Sequence, residues 1–101
     1  MQAFIGETVV ADAAEEHLVQ IEGNLYFPPT SVRWEHLEDS STPYTCPWKG
    51  KAQYHDVLVG DTVLKDAAWS YPHITEYALA RVGRDFSGYI AFDARQVRFE
   101  R

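Results

Sequence analysis

The chain has 101 residues, 46% of them hydrophobic and 24% charged, and a formal net charge of −6. This length and apolar content predict one folded domain and exclude an intrinsically disordered chain. The acidic balance disfavours broad nucleic-acid binding, because a phosphate backbone repels a negative surface.

The first third of the chain predicts short strands separated by turns. Residues 6–11 are typical of a turn that enters a strand, and residues 16–22 alternate apolar and polar side chains. A turn at Gly23 and Asn24 then leads into residues 25–27, so the strands at residues 16–22 and 25–27 are expected to pair as a hairpin. Pro28 and Pro29 end the pairing, because proline donates no backbone N–H.

Residues 33–38 alternate large and charged side chains and predict a further strand, with Trp34 and His36 on one face. Arg33 and Glu35 then point to the other face, where we expect them to form a cross-strand salt bridge. Arg33 could alternatively bind an anion through two parallel hydrogen bonds.

The clearest hairpin is predicted between residues 49 and 65, where Gly60 and Asp61 suit a type II′ turn. Residues 67–71 are expected to be extended. A short helix is predicted at residues 76–81 with Thr75 as its N-cap, and two strands at residues 88–92 and 96–99 close the chain. The predicted fold is mainly β, with seven to nine short strands in one twisted or barrel-like sheet system.

The compartment is inferred from cysteine content and apolar segments. The single cysteine, Cys46, cannot form an intramolecular disulfide, so the sequence gives no support to secretion. No signal peptide is predicted, and no apolar stretch reaches the length of a membrane span. We therefore expect a cytoplasmic protein without membrane contact.

Several segments together resemble a known family. They are residues 6–12, 28–35 (PPTSVRWE), 45–54 (TCPWKGKAQY), 67–72 (AAWSYP) and 88–92 (GYIAF). In this order, over nearly the whole chain, they look like the bacterial and fungal domain-of-unknown-function family numbered 427, which also carries the label nucleotidyltransferase.

The resemblance implies a β-tent fold, shared with methionine sulfoxide reductase B and several zinc-ribbon-like domains. Those relatives often hold zinc between two cysteine pairs, but this chain has no cysteine pair, so no structural zinc and no cofactor are predicted. The nucleotidyltransferase label implies a magnesium site with paired carboxylates and a glycine-rich phosphate loop. The sequence contains neither a Gly-Ser pair before an Asp-x-Asp motif nor a P-loop.

The segment from Cys46 to Gly50 is the strongest candidate site. Cys46 is a candidate nucleophile, because the nearby Lys49 ammonium would favour the thiolate, or it is a small buried residue. Lys49 could bind an anion or act as an amine, or it could be solvated. Gly50 would allow a ligand or another strand to approach the backbone closely.

Aromatic residues and histidines complete the candidate set. The tryptophans and tyrosines could form one concave surface for a flat or apolar ligand, or they could belong to the core; the candidates are Trp34, Trp48, Tyr54, Trp69 and Tyr71. The four histidines match no zinc motif. His73 follows a proline in a predicted loop and could form a Cys–His pair with Cys46.

The sequence is compatible with three functions. The first is binding of a small anionic or aromatic ligand near residues 46–50 and 69–72. The second is an enzyme that uses Cys46 or Lys49 covalently. The third is a protein-interaction module, because Trp, Tyr and Arg are favoured at interfaces. We expect a monomer or weak homodimer that binds no nucleic acid.

Overall fold

The structure, a computed structural model, describes residues 1–101, and strands form most of its regular structure. The strands are β1 (Gln2–Ile5), β2 (Thr8–Asp12), β3 (Val19–Ile21), β4 (Asn24–Phe27), β5 (Leu37–Asp39), β6 (Thr45–Cys46), β7 (Gly50–Lys51), β8 (Gln53–Val59), β9 (Thr62–Ser70), β10 (Ile90–Phe92) and β11 (Arg98–Glu100). The helix α1 spans Glu76–Val82, and short 3-10 helices span Glu15–His17, Pro29–Ser31 and Trp34–His36. The mainly β fold with one short helix is confirmed, although eleven strands form instead of seven to nine.

The strands form three open antiparallel sheets. Their orders are β11-β1-β2, β3-β4-β10-β9-β8-β5 and β6-β7. Successive residues of the central strands point to opposite faces of the large sheet, so each strand contributes side chains to two hydrophobic cores, one on each face. Phe27, Ala68 and Ile90 pack toward the three-stranded sheet. Tyr26 and Ala91 pack on the other side, where the β6–β7 hairpin and α1 cover the sheet.

Local turn and capping chemistry gives the predicted elements. The β3–β4 and β8–β9 hairpins form as expected, and Gly60 adopts a φ of 57° in the turn of the second. The strand predicted over residues 16–22 is shorter than expected, because Glu15–His17 form a 3-10 turn and pairing begins at Val19. The hydroxyl of Thr75 accepts a hydrogen bond from the N–H of Ala78 at 3.0 Å and caps α1. Gly83, with a φ of 81°, ends the helix, because glycine adopts this left-handed conformation without a side-chain clash.

The strand predicted at residues 33–38 is wrong in its first part. Trp34–His36 form one 3-10 turn, in which the N–H of His36 donates to the carbonyl of Arg33, and only Leu37–Asp39 pair as a strand. Alternating residues do not encode pairing when no neighbouring strand is in register. Arg33 and Glu35 are exposed and form no salt bridge, so that prediction is also wrong.

The β6–β7 hairpin is anchored to the segment that leads into α1. The Thr75 hydroxyl donates to the carbonyl of Trp48, and the Thr75 N–H donates to the carbonyl of Lys49 at 3.3 Å. Gly50, with a φ of 113°, lies so close that a Cβ atom there would come within 3.1 Å of the His73 carbonyl. The close approach to the Gly50 backbone, which the sequence predicted for a ligand or another strand, is therefore made by residues 73–75 of the loop before α1.

We expect Gly50→Ala to lower the free energy of unfolding by about 1–3 kcal/mol, because the new methyl group adds a backbone clash to an unfavourable φ. Gly60→Ala is the matched control, since Gly60 also has a positive φ but a Cβ atom there would meet nothing within 4 Å. Urea denaturation measures both changes. A loss no larger for Gly50→Ala than for Gly60→Ala would contradict the close packing.

Candidate functional site

Lys49 lies in the turn between β6 and β7, and its side chain points inward. The side chain is 7% exposed, and its ammonium forms an ion pair with Glu22, whose side chain is 52% exposed. Glu22 lies in the β3–β4 turn with a φ of 54°, which is uncommon for a residue with a side chain. The two turns, far apart in the sequence, are thus joined by a charge-assisted hydrogen bond.

Aromatic rings surround this ammonium. Its nitrogen is 5.1 Å from the centre of the Trp48 ring and 5.1 Å from that of Tyr71, so both rings make cation–π contacts. The guanidinium of Arg81 lies 4.2 Å from the Trp48 ring centre, and Tyr77 meets Trp48 edge-on. Trp48 and Tyr71, predicted to bind a ligand, thus contact the protein's own cations.

Cys46 and Trp69 pack in the second core, the hydrophobic cluster on the α1 side of the large sheet. Cys46 is 6% exposed, and it packs in the same cluster as Tyr26 and Ala52, as the packing alternative predicts. Trp69 donates its ring N–H to the Tyr26 hydroxyl at 3.2 Å. Tyr54 lies against Trp69, with 6.2 Å between their ring centres. No hydrogen bond joins Cys46 to His73.

Burial and charge shift the ionisation of this cluster. Burial lowers the pKa of Lys49, but the hydrogen bond to Glu22 and its negative charge oppose this effect, and the net pKa lies above the ordinary value of 10.5. Burial raises the pKa of Tyr71 and that of Tyr26. The cluster therefore holds a charged lysine beside neutral tyrosines at physiological pH, which makes Lys49 a poor nucleophile.

A small cavity opens beside this cluster. Its volume is about 200 Å³, and its lining residues are Lys51, Ala52, Gln53, Pro72 and His73. The β6–β7 hairpin supplies one side, and the loop after β9 supplies the other. The contacts of Thr75 and Gly50 set the distance between these two segments. Of the predicted ligand-binding residues, only His73 lines the cavity.

Other predicted residues lie away from the cavity. Trp34 is 45% exposed, and its ring N–H donates to the Pro29 carbonyl. Its ring meets His55 edge-on, and Arg33 is exposed beside it. No group of three or more His, Cys, Asp or Glu side chains is arranged to hold a metal ion. The structure contains no helix long and apolar enough to cross a membrane.

Sequence reasoning missed Glu22, Lys51 and Gln53. Glu22 carries no local signal, because its partner Lys49 is 27 residues away. Lys51 and Gln53 lie within the family-matching segment 45–54, and that segment could have drawn attention to them. Their common position at the cavity depends on the register of β7 and β8 against β6 and β9.

Comparison with known proteins identifies a family. The whole chain, residues 1–101, matches a family model described as "Domain of unknown function (DUF427)". This match confirms the resemblance found in the sequence. No curated protein matches the chain.

We expect Glu22→Gln to lower the free energy of unfolding by about 1–2 kcal/mol, because the buried Lys49 ammonium loses its counter-charge. This loss of unfolding free energy is smaller than that expected for a fully buried ion pair, since Glu22 is half exposed. Glu16→Gln changes an exposed glutamate without an ion pair and serves as the control. Equal urea midpoints for the two variants would show that the ion pair contributes nothing to stability.

Alkaline pH should destabilise the protein partly through Tyr71. The unfolded tyrosine has a pKa near 10.0 and the folded one a higher pKa, so the stability that Tyr71 contributes is complete below pH 10 and is lost as the pH rises further. We expect Tyr71→Phe to lose less stability than the wild type between about pH 8 and about pH 11 in urea denaturation. Tyr44→Phe, at an exposed position, is the control. An unchanged pH dependence in Tyr71→Phe would refute this prediction.

Proposed function

Because the chain belongs to the domain-of-unknown-function 427 family, whose description names no activity, we propose from the geometry of the site that it binds a small anionic ligand in the cavity between Lys51 and His73. One observation carries this proposal. Lys51 and His73 both line the cavity, and neither side chain makes a hydrogen bond or ion pair within the chain. Two groups able to carry positive charge are thus available to an anion.

The other two lysines of the chain are paired with carboxylates, whereas Lys51 is not. Of the three lysines in the chain, Lys49 is paired with Glu22, and Lys65 lies 3.7 Å from both Asp56 and Asp66. Lys51 alone has no acidic partner. In a chain of net charge −6, an unpaired ammonium at the edge of a cavity provides a local attraction for an anion.

The volume and the lining of the cavity limit the size and chemistry of the ligand. Its volume of about 200 Å³ is below the roughly 300–1,000 Å³ of pockets for drug-sized ligands. Ala52 and Pro72 provide apolar contacts, and Gln53 provides an amide. These properties favour a small carboxylate or phosphate, or the terminal group of a larger molecule. The lining residues include no carboxylate, so the cavity gives the nucleotidyltransferase label no support.

Covalent catalysis by Cys46 or Lys49 is less favoured by the same geometry. The thiol of Cys46 is buried and makes no hydrogen bond to a basic side chain, and the ammonium of Lys49 is occupied by Glu22. Neither residue lines the cavity. The binding hypothesis therefore moves from residues 46–50 to the adjacent residues 51–53, and it keeps His73.

Amide NMR titration with inorganic phosphate, acetate and adenosine monophosphate tests the proposal. We expect saturable shifts at Lys51, Gln53 and His73 at millimolar concentration. Lys51→Gln should weaken binding about tenfold or more, because a charge-assisted hydrogen bond is lost. Arg33→Gln removes the same charge from an exposed residue away from the cavity and should leave the affinity unchanged. Shifts spread over the whole surface, or equal effects of both variants, would refute the proposal.

A further inference from the structure

Three polar side chains form a hydrogen-bonded line across three adjacent strands of the large sheet. His55 on β8 contacts Asp39 on β5 through Nδ1 at 3.1 Å, and it contacts the hydroxyl of Ser70 on β9 through Nε2 at 3.2 Å. Asp39 and His55 are direct partners in the sheet register. Both His55 and Ser70 are 4% exposed, whereas the side chain of Asp39 is 79% exposed.

The partners of His55 determine which of its nitrogens carries the proton. An ionised carboxylate only accepts hydrogen bonds, so Nδ1 donates to Asp39. In the neutral ring Nε2 then has a free lone pair and accepts the hydrogen of the Ser70 hydroxyl. Burial lowers the pKa of His55, although Asp39 opposes this effect. The ring is thus neutral near pH 7, which is the form that can accept a proton.

This order of groups, carboxylate to Nδ1 and hydroxyl to Nε2, is the one that activates serine in hydrolases on unrelated folds. We propose that Ser70 is a nucleophile for small carboxylic esters, with His55 as the general base and Asp39 as a positioning residue. Ester hydrolysis at Ser70 is an activity separate from anion binding in the cavity and does not depend on it.

The reaction needs only the ester and water. The Ser70 oxygen bonds to the carbonyl carbon of the ester, His55 takes the hydroxyl proton, and the same proton passes to the departing alcohol oxygen. Water then attacks the acyl carbon while His55 takes a proton from it, and this proton passes to the Ser70 oxygen as the bond between that oxygen and the acyl carbon breaks. The products are an alcohol, a carboxylic acid and the free hydroxyl of Ser70, so no oxidant, reductant or further reactant is required.

Ser70 is 4% exposed and does not line the cavity, so in this proposal the ester reaches it past Gln53, which does. Gln53 lines the cavity and is the direct partner of Ser70 in the β8–β9 ladder. Opposed residues of an antiparallel pair have Cβ atoms about 5 Å apart, so the Gln53 side chain begins one strand spacing from that of Ser70. The Gln53 amide is held by the carbonyls of Ser40 and Tyr54. Removing this side chain should widen the path to Ser70.

Labelling of the folded wild type tests the nucleophile without any substitution. A small fluorophosphonate, reacted at neutral pH and followed by peptide mass mapping, should modify Ser70. With p-nitrophenyl acetate the wild type should release p-nitrophenol, and Ser70→Ala should lower the rate about a hundredfold or more. Ser41→Ala removes the hydroxyl of an exposed loop serine and is the control. Gln53→Ala should raise the labelling rate.

The roles of His55 and Asp39 have separate readouts. His55→Asn should abolish labelling, and Asp39→Asn should change the pH profile of ester hydrolysis, because Asp39 determines the protonation of His55. A purely structural line of hydrogen bonds would affect melting but would produce no labelled serine. No label on Ser70 in the folded protein, or a label on another residue only, would overturn the proposal. Phosphate titration reports on the cavity alone, so either proposal can fail without the other.

Discussion

Burial of the Lys49 ammonium is the constraint on which the second core depends. An ammonium removed from water needs a counter-charge, and Glu22 supplies it from the β3–β4 turn. The rings of Trp48 and Tyr71 add cation–π contacts around the same nitrogen. This single group therefore holds the β6–β7 turn against the β3–β4 turn. The same pairing explains why the most distinctive segment of the sequence presents little of its chemistry to solvent.

Two polar side chains without partners within the chain line the cavity beside the Lys49 cluster. Thr75 uses one hydroxyl to cap α1 and to hold the carbonyl of Trp48, so the helix and the hairpin share an anchor. The absence of a side chain at Gly50 allows the hairpin to approach the loop that carries His73. The two segments leave a small cavity where Lys51 and His73 have no partners within the chain. A packed inner cluster thus lies beside a cavity lined by unpaired polar side chains.

The large sheet places the cavity close to the hydrogen-bonded line through His55, because β8 contributes residues to both. Gln53 lines the cavity, whereas His55, two residues further along β8, joins Asp39 and Ser70. This arrangement follows from antiparallel pairing, which brings residues from distant parts of the chain to neighbouring positions on one face. The fold does not determine which reaction such a group carries out, so activity has to be argued from the group itself.

The sequence alone determined the features that depend on residues close together along the chain. Gly60 and Asp61 encode the β8–β9 turn, Thr75 encodes the start of α1, and the order of the segments identifies the family. These features are readable because turn and capping chemistry act over a few residues. The sequence also identified residues 46–50 as unusual, but it could not tell that Lys49 turns inward.

Only the tertiary structure decided which side chains meet. Glu22 reaches Lys49 across 27 positions, and Ser70 reaches His55 across 15, so neither pair has a spacing that a local pattern could show. The expected strand at Trp34 became a 3-10 turn because no strand pairs with it there. Register decides these outcomes, since a shift of one residue moves every side chain of a strand to the opposite face.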